Sequence, residues 1–202
     1  MEKWIGDRIS TFSDKNNTSI IIYPKRERWK EALLIAWVIG FTFVGFYMIY
    51  LLFFGLEAID NSQIKGDPQE ILRNQKIYLT VFIGFWAYFE YKVVYGLLWL
   101  LFGKELIKID FEKVLIKNAI FSYGKSKKYF NDNIKKIELI EHKPFSFGFN
   151  YENAFWSKGT NSLLFDYLTK TVTFGRKLNE KDAKLLMRFM VDRVKKHSKS
   201  KK

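Results

Sequence analysis

Apolar residues fall into three regimes along the chain: two long blocks in the first half, short alternating runs after residue 104, and a helical stripe near the C-terminus. The first block, 32–56 (ALLIAWVIGFTFVGFYMIYLLFFGL), holds 25 residues without Asp, Glu, Lys or Arg. About 20 such residues span roughly 30 Å of hydrocarbon as a helix, so this block predicts a membrane crossing. The second, 77–102 (IYLTVFIGFWAYFEYKVVYGLLWLLF), is as long and is interrupted only by Glu90 and Lys92. It predicts the return crossing. A soluble core helix seldom stays uncharged for so long. The polar first 31 residues, with no short apolar core before a small-residue cleavage site, argue against a secretory signal.

From Lys104 onward the period shortens. Runs at 106–109 and 114–116 flank a turn at Asp110–Lys113, and further runs follow at 119–123, 128–130, 134–140, 145–155, 162–167 and 171–174. Alternation at period two, bounded by Gly, Asn and Asp clusters, predicts about seven short strands. After Gly175 the pattern becomes helical: Asn179 is placed as N-cap, Glu180 and Asp182 load the first turn, and Leu186, Met190 and Val194 repeat every four residues. Ala183, Leu185 and Phe189 widen that stripe. The expected organisation is α+β: an N-terminal segment (1–31), a hairpin (32–103, with its loop at 57–76), a strand-rich domain (104–196) and a basic tail (197–202).

The stretch Leu100-Leu101-Phe102-Gly103-Lys104-Glu105-Leu106-Ile107 runs a helix end into a first strand. Leu164-Phe165-Asp166-Tyr167, Thr173-Phe174-Gly175 and Leu178-Asn179-Glu180-Lys181-Asp182-Ala183 lead a last hairpin into a capping helix. In this order, over roughly residues 30–196, the chain resembles small bacterial integral-membrane proteins with two transmembrane helices followed directly by a pleckstrin-homology-like (PH-like) domain. The resemblance implies a two-helix transmembrane hairpin followed by a seven-stranded antiparallel β-sandwich or barrel capped by a C-terminal α-helix. It also implies residence in the bacterial inner (cytoplasmic) membrane. Phosphoinositide-binding PH domains grip phosphates with Lys and Arg around their first loop; here that connection is short and carries Asp110 and Glu112 beside Lys113, which opposes such binding.

Charge fixes the expected orientation. Residues 1–31 hold seven Lys or Arg against five acids, the loop 57–76 three against four, and residues 103–202 twenty-three against eleven. The positive-inside bias places both termini in the cytoplasm and the loop outside. The same bias accounts for the net charge of +13 without a nucleic acid, whose recognition motifs are absent. Zero cysteines exclude disulfides and thiol chemistry, and two histidines leave little material for a metal centre or a catalytic triad. The expectation is a non-enzyme without cofactors.

Within the hairpin, Ala32, Ala36 and Gly40 repeat every four residues, with Gly96 at similar depth on the returning helix, predicting close helix packing. Trp29 and Trp99 are expected as interfacial anchors. Glu90 and Lys92 lie mid-span, where an ionisable group costs at least ~2.5–3.5 kcal/mol. They are two positions apart, about 200° around a helix, so one does not satisfy the other. Thr42 is the polar residue at similar depth on the first helix, and Glu90, Lys92 and Thr42 are expected to form a polar contact with a partner subunit or a second copy.

In the domain, Lys125, Lys127, Lys128, Lys135 and Lys136 are the expected basic face for anionic headgroups. Phe155 and Trp156, after the aromatic run from Phe145, are the expected protein-partner contact. Ile20-Ile21-Ile22-Tyr23 before Pro24 reads as an added edge strand. Together these features predict a non-catalytic membrane-anchored adaptor, an accessory or assembly subunit of a larger membrane complex. The alternative is a sensor of anionic lipid through the basic face.

Overall fold

The computed structural model describes residues 2–14, 16–56, 67–141, 154 and 157–199. The chain divides into two compact units, Met1–Glu27 with Leu98–Lys202, and Arg28–Leu97.

The first unit is built on alternation. Strands β1 (Glu2–Ile5), β2 (Ile9–Ser13), β3 (Asn17–Ile22), β4 (Gly103–Asp110), β5 (Lys113–Ile120) and β6 (Ser126–Phe130) form one antiparallel sheet in that order, and β7 (Ile134–Leu139), β8 (Asn161–Tyr167) and β9 (Lys170–Arg176) form a second. On β3, Thr18, Ile20 and Ile22 point inward opposite Ile109, Ile107 and Glu105 of β4. Ile9, Ile20, Ile107, Ile109 and Val114 from the first sheet meet Leu163, Phe165 and Phe174 from the second in one core. Helix α3 (Glu180–Lys199) closes it with Ala183, Leu186 and Met190. Its N-cap is Asn179, whose Oδ1 accepts from the Asp182 amide at 2.6 Å.

Four expectations need correction. The described residues contain nine strands rather than seven, because the N-terminal segment supplies β1, β2 and β3. Its run at Ile20–Ile22 is no edge strand: β2 lies on one side of it and β4 on the other. The run 119–123 is not a strand, since Phe121 and Ser122 have φ of +50° and +72° and turn the chain after Ile120. Leu185 does not join the buried stripe of α3 and is exposed. The expected run 145–155 lies, apart from Ala154, outside the described residues.

The second unit holds helix α1 (Arg28–Tyr50), whose end widens into a π turn at Leu51–Gly55, and most of helix α2 (Pro68–Phe102). Both helices are long and apolar enough to cross a membrane, and only 11% and 6% of their apolar windows are buried. A core helix of a soluble protein would be mostly buried. Helix α2 begins nine residues before the apolar block and runs directly into β4.

Helix contact is made at Gly45, not at the small-residue stripe. Ala32, Ala36 and Gly40 are exposed, and a Cβ on Gly40 would meet nothing within 4 Å. A Cβ on Gly45 would lie 1.9 Å from the Trp86 ring. The absence of a side chain there lets the Trp86 ring approach α1 closely while its Nε1–H donates to the Phe41 carbonyl at 3.1 Å. Gly96 is buried.

Candidate functional site

The outer face of the six-stranded sheet carries the most distinctive surface. Side chains alternate across a strand, so the face opposite the core is read from the register. One row crosses β2 to β6 as Phe12, Ser19, Lys108, Leu115 and Lys128; a second crosses all six strands as Trp4, Ser10, Ile21, Leu106, Lys117 and Ser126. Strand neighbours are about 4.8 Å apart, so each lysine lies within one or two strands of an apolar group. Lys104 and Lys113 share the face, with Phe130 opposite Lys113. Trp4, Phe12 and Phe130 are each more than half exposed, at 56%, 52% and 52%. Trp4 stacks on Tyr23 with centroids 6.0 Å apart, and the Lys104 ammonium lies 5.9 Å from the Tyr23 ring. Glu2 and Asp110 are the acids on this face, and both are engaged. Glu2 accepts from the Ser10 hydroxyl at 2.6 Å; Asp110 Oδ1 accepts from the amides of Glu112 and Lys113, each at 2.9 Å.

The expected basic face is not one surface. All five lysines are exposed, but Lys127 and Lys128 are consecutive on β6 and point to opposite sides of the sheet. Lys135 and Lys136 sit on β7 in the other sheet, with Lys136 paired to Glu138. Only Lys128 joins the outer face. Its companions Lys104, Lys108, Lys113 and Lys117 lie on two other strands, so proximity in sequence does not group them with it. The signal is present in the strands themselves: four lysines, two in β4 and two in β5, each pair evenly spaced on the side opposite Ile107, Ile109, Val114 and Ile116. Phe155 and Trp156 lie outside the described residues.

On the inner side, Glu105 is 2% exposed. Its Oε2 accepts from the backbone amides of Gly175 at 3.0 Å and Arg176 at 3.2 Å, joining the first sheet to the last strand of the second. Gly175 has φ +75°, a conformation that favours glycine. Burial pushes the Glu105 carboxyl above its ordinary range, outweighing the two amides and the Arg176 guanidinium that pull it down. The start of β4 and the end of β9 are therefore held together by one carboxylate.

In the hairpin unit, Thr42 Oγ1 donates to Glu90 Oε1 at 2.5 Å. Glu90 Oε2 is buried with no hydrogen-bond partner among the described residues. Lys92 is exposed, with its ammonium 5.4 Å from the Tyr88 ring. The structure thus brings two of the three expected residues together and leaves Lys92 apart. Trp29 is exposed, whereas Trp99 is buried beneath cationic side chains of the domain.

Comparison with protein-family models, with curated proteins and with solved structures yields no match.

Proposed function

We propose that the chain is a non-catalytic membrane-anchored adaptor, an accessory or assembly subunit whose PH-like domain docks an acidic protein partner within a larger membrane complex. The observation that carries this reading is the outer sheet face, where Trp4, Phe12 and Phe130 are exposed among five lysines. Aromatic anchors within a polar surround are the composition of protein interfaces, and apolar groups left in water mark such sites. The positive field sets the sign of the partner. The PH-like assignment is supported by two antiparallel sheets closed by a C-terminal helix, with β1 and β2 as additions beyond β3.

Membrane placement has independent support. Strands β3 and β4 pair over six residues, from Asn17–Asp110 to Ile22–Glu105. The chain before α1 and the chain after α2 are therefore on the same side of any bilayer the helices cross, which is what a two-span hairpin in the inner membrane with cytoplasmic termini requires. Glu90 Oε2, left without a partner at mid-helix, supports a further contact with a second subunit inside the bilayer.

The anionic-lipid reading on Lys125, Lys127, Lys128, Lys135 and Lys136 loses its geometric basis, because these residues face different ways. Mild-detergent extraction and tagged purification test the adaptor. A stoichiometric partner is expected with the wild-type chain and is expected to be lost from Phe12→Ser combined with Lys108→Glu, both surface changes that alter stability by no more than about 0.5 kcal/mol. Purification of the chain alone, or a partner retained undiminished by the double variant, would overturn the reading.

A further inference from the structure

A cleft in the domain unit lies where the end of α2, the segment after β3 and the end of β9 converge. It is lined by Tyr23, Lys25, Trp99, Lys158, Arg176 and Lys177; its enclosed space is small, about 20 Å³, and it is partly open at its mouth. Trp99 is 4% exposed, and two cations lie over its ring: the Lys158 ammonium at 5.3 Å and the Arg176 guanidinium at 5.5 Å. Glu105, which also borders the cleft, already accepts from two amides through one oxygen. Arg176 Nε is buried with no hydrogen-bond partner among the described residues, and one terminal nitrogen reaches the Gly159 carbonyl only at 3.5 Å. A buried guanidinium N–H without an acceptor is costly. An arginine fork pairs most favourably with a carboxylate or phosphate.

The position of the cleft in the chain narrows the choice of anion. Trp99 lies three residues before the end of α2, and Lys25 three residues before the start of α1. In the membrane placement proposed above, both are at headgroup depth, where phosphate is the abundant anion. We infer that the open mouth of this cleft binds the phosphate of an anionic membrane lipid, with Arg176 and Lys158 as its principal ligands and Trp99 as the platform that holds both cations in place. The site adjoins the outer sheet face at Tyr23 but includes neither Phe12 nor Lys108 of that face, and it is separate from the first loop of the domain. The inference rests on the membrane placement and not on the protein partner, so partner purification and lipid titration fail independently.

The test uses the full-length protein, delipidated in detergent and titrated with phosphatidylglycerol, phosphatidylcholine or inorganic phosphate, with adducts read by native mass spectrometry. Phosphatidylglycerol is expected to bind more tightly than phosphatidylcholine and to be displaced by inorganic phosphate. Arg176→Gln and Lys158→Gln are each expected to weaken it about fivefold, the effect of ~1 kcal/mol per basic residue at a membrane surface. Lys158→Gln reports even if Arg176→Gln disturbs folding, because it leaves the Arg176 guanidinium and backbone in place. Lys170→Gln, a change at the exposed start of β9, is the charge control and is expected to leave binding unchanged. Equal affinity for the two lipids, or equal losses in the control and in the cleft variants, would overturn the site. Saturable binding of inorganic phosphate without lipid adducts would keep a phosphate site and overturn its lipid source.

Discussion

Replacing Glu105 by Ala removes the acceptor for two backbone amides, that of Gly175 buried and that of Arg176 partly buried. Each buried N–H left unsatisfied costs about 1–3 kcal/mol, and the truncated side chain leaves a void between the sheets. The sum is about 3 kcal/mol, which for a chain of 202 residues corresponds to a fall of about 6–12 °C in melting midpoint. Glu105→Gln keeps the shape and one acceptor oxygen, and should stay within about 1 kcal/mol of wild type. Its pH dependence is the sharper probe. The folded-state carboxyl is raised by burial, so the folded chain holds that proton to higher pH than the unfolded chain does. Stability from this linkage is fully present below the carboxyl's ordinary value and is lost as pH rises through the raised value. The wild type should therefore lose ground to Glu105→Gln as pH climbs from the ordinary carboxyl range toward neutrality, measured by intrinsic fluorescence on heating the detergent-solubilised protein. A midpoint for Glu105→Ala within 2 °C of wild type, against the ~6–12 °C expected, would refute the role of Glu105 as a tie between the sheets; so would the opposite pH trend.

Gly45→Leu should disrupt the hairpin, since its Cβ would already sit 1.9 Å from Trp86, whereas Gly40→Leu should be tolerated because nothing lies within 4 Å; protein yield and thermal midpoint in detergent distinguish them. Asn179→Ala should cost about 1 kcal/mol through loss of the α3 cap, seen as a drop in the same midpoint. Thr42→Val removes the hydroxyl that donates to Glu90 and should cost about 0.6 kcal/mol, the average for such bonds between membrane helices.

Much of the architecture is legible in the sequence because its signals are long or local. The uncharged block at 32–56 and the Asn179-Glu180 start of α3 each depend on neighbours within one element. The turn at Asp110 likewise uses its own side chain to hold the amides of Glu112 and Lys113. What escapes depends on partners far along the chain. Residues Ile9–Ser13 and Asn17–Ile22 alternate as strands do, but their membership in the domain is decided by the pairing of β3 with β4, some 85 residues later, and of β2 with β3. The lysine face fails as a sequence cluster for the same reason: adjacency on a strand sends Lys127 and Lys128 to opposite sides, while register brings Lys108 and Lys128 into one row. Glu105 was readable from alternation alone, since it shares parity with the inward Ile107 and Ile109 and is an acid where the pattern demands an apolar residue.

The helical hairpin is an insertion in the chain of the domain, between β3 and β4. Ile9, Ile20 and Ile22 come from before the hairpin and are 0%, 0% and 2% exposed in the core. At about 1.5–3 kcal/mol for each buried side chain, their loss would remove about 5–9 kcal/mol, a large share of the ~5–15 kcal/mol that holds a typical domain together. Removing β3 would also bare the long edge of β4, a template for pairing with other chains. A fragment of residues 98–202 should therefore aggregate or remain unfolded. Joining residue 27 to residue 98 through a short Gly-Ser linker should restore a folded domain, because Ile22 and Glu105 are already paired across that gap. Circular dichroism and dispersion of amide resonances read both samples. A well-folded 98–202 fragment would show that the N-terminal strands are an appendage, and the same-side argument for the hairpin would lose its foundation.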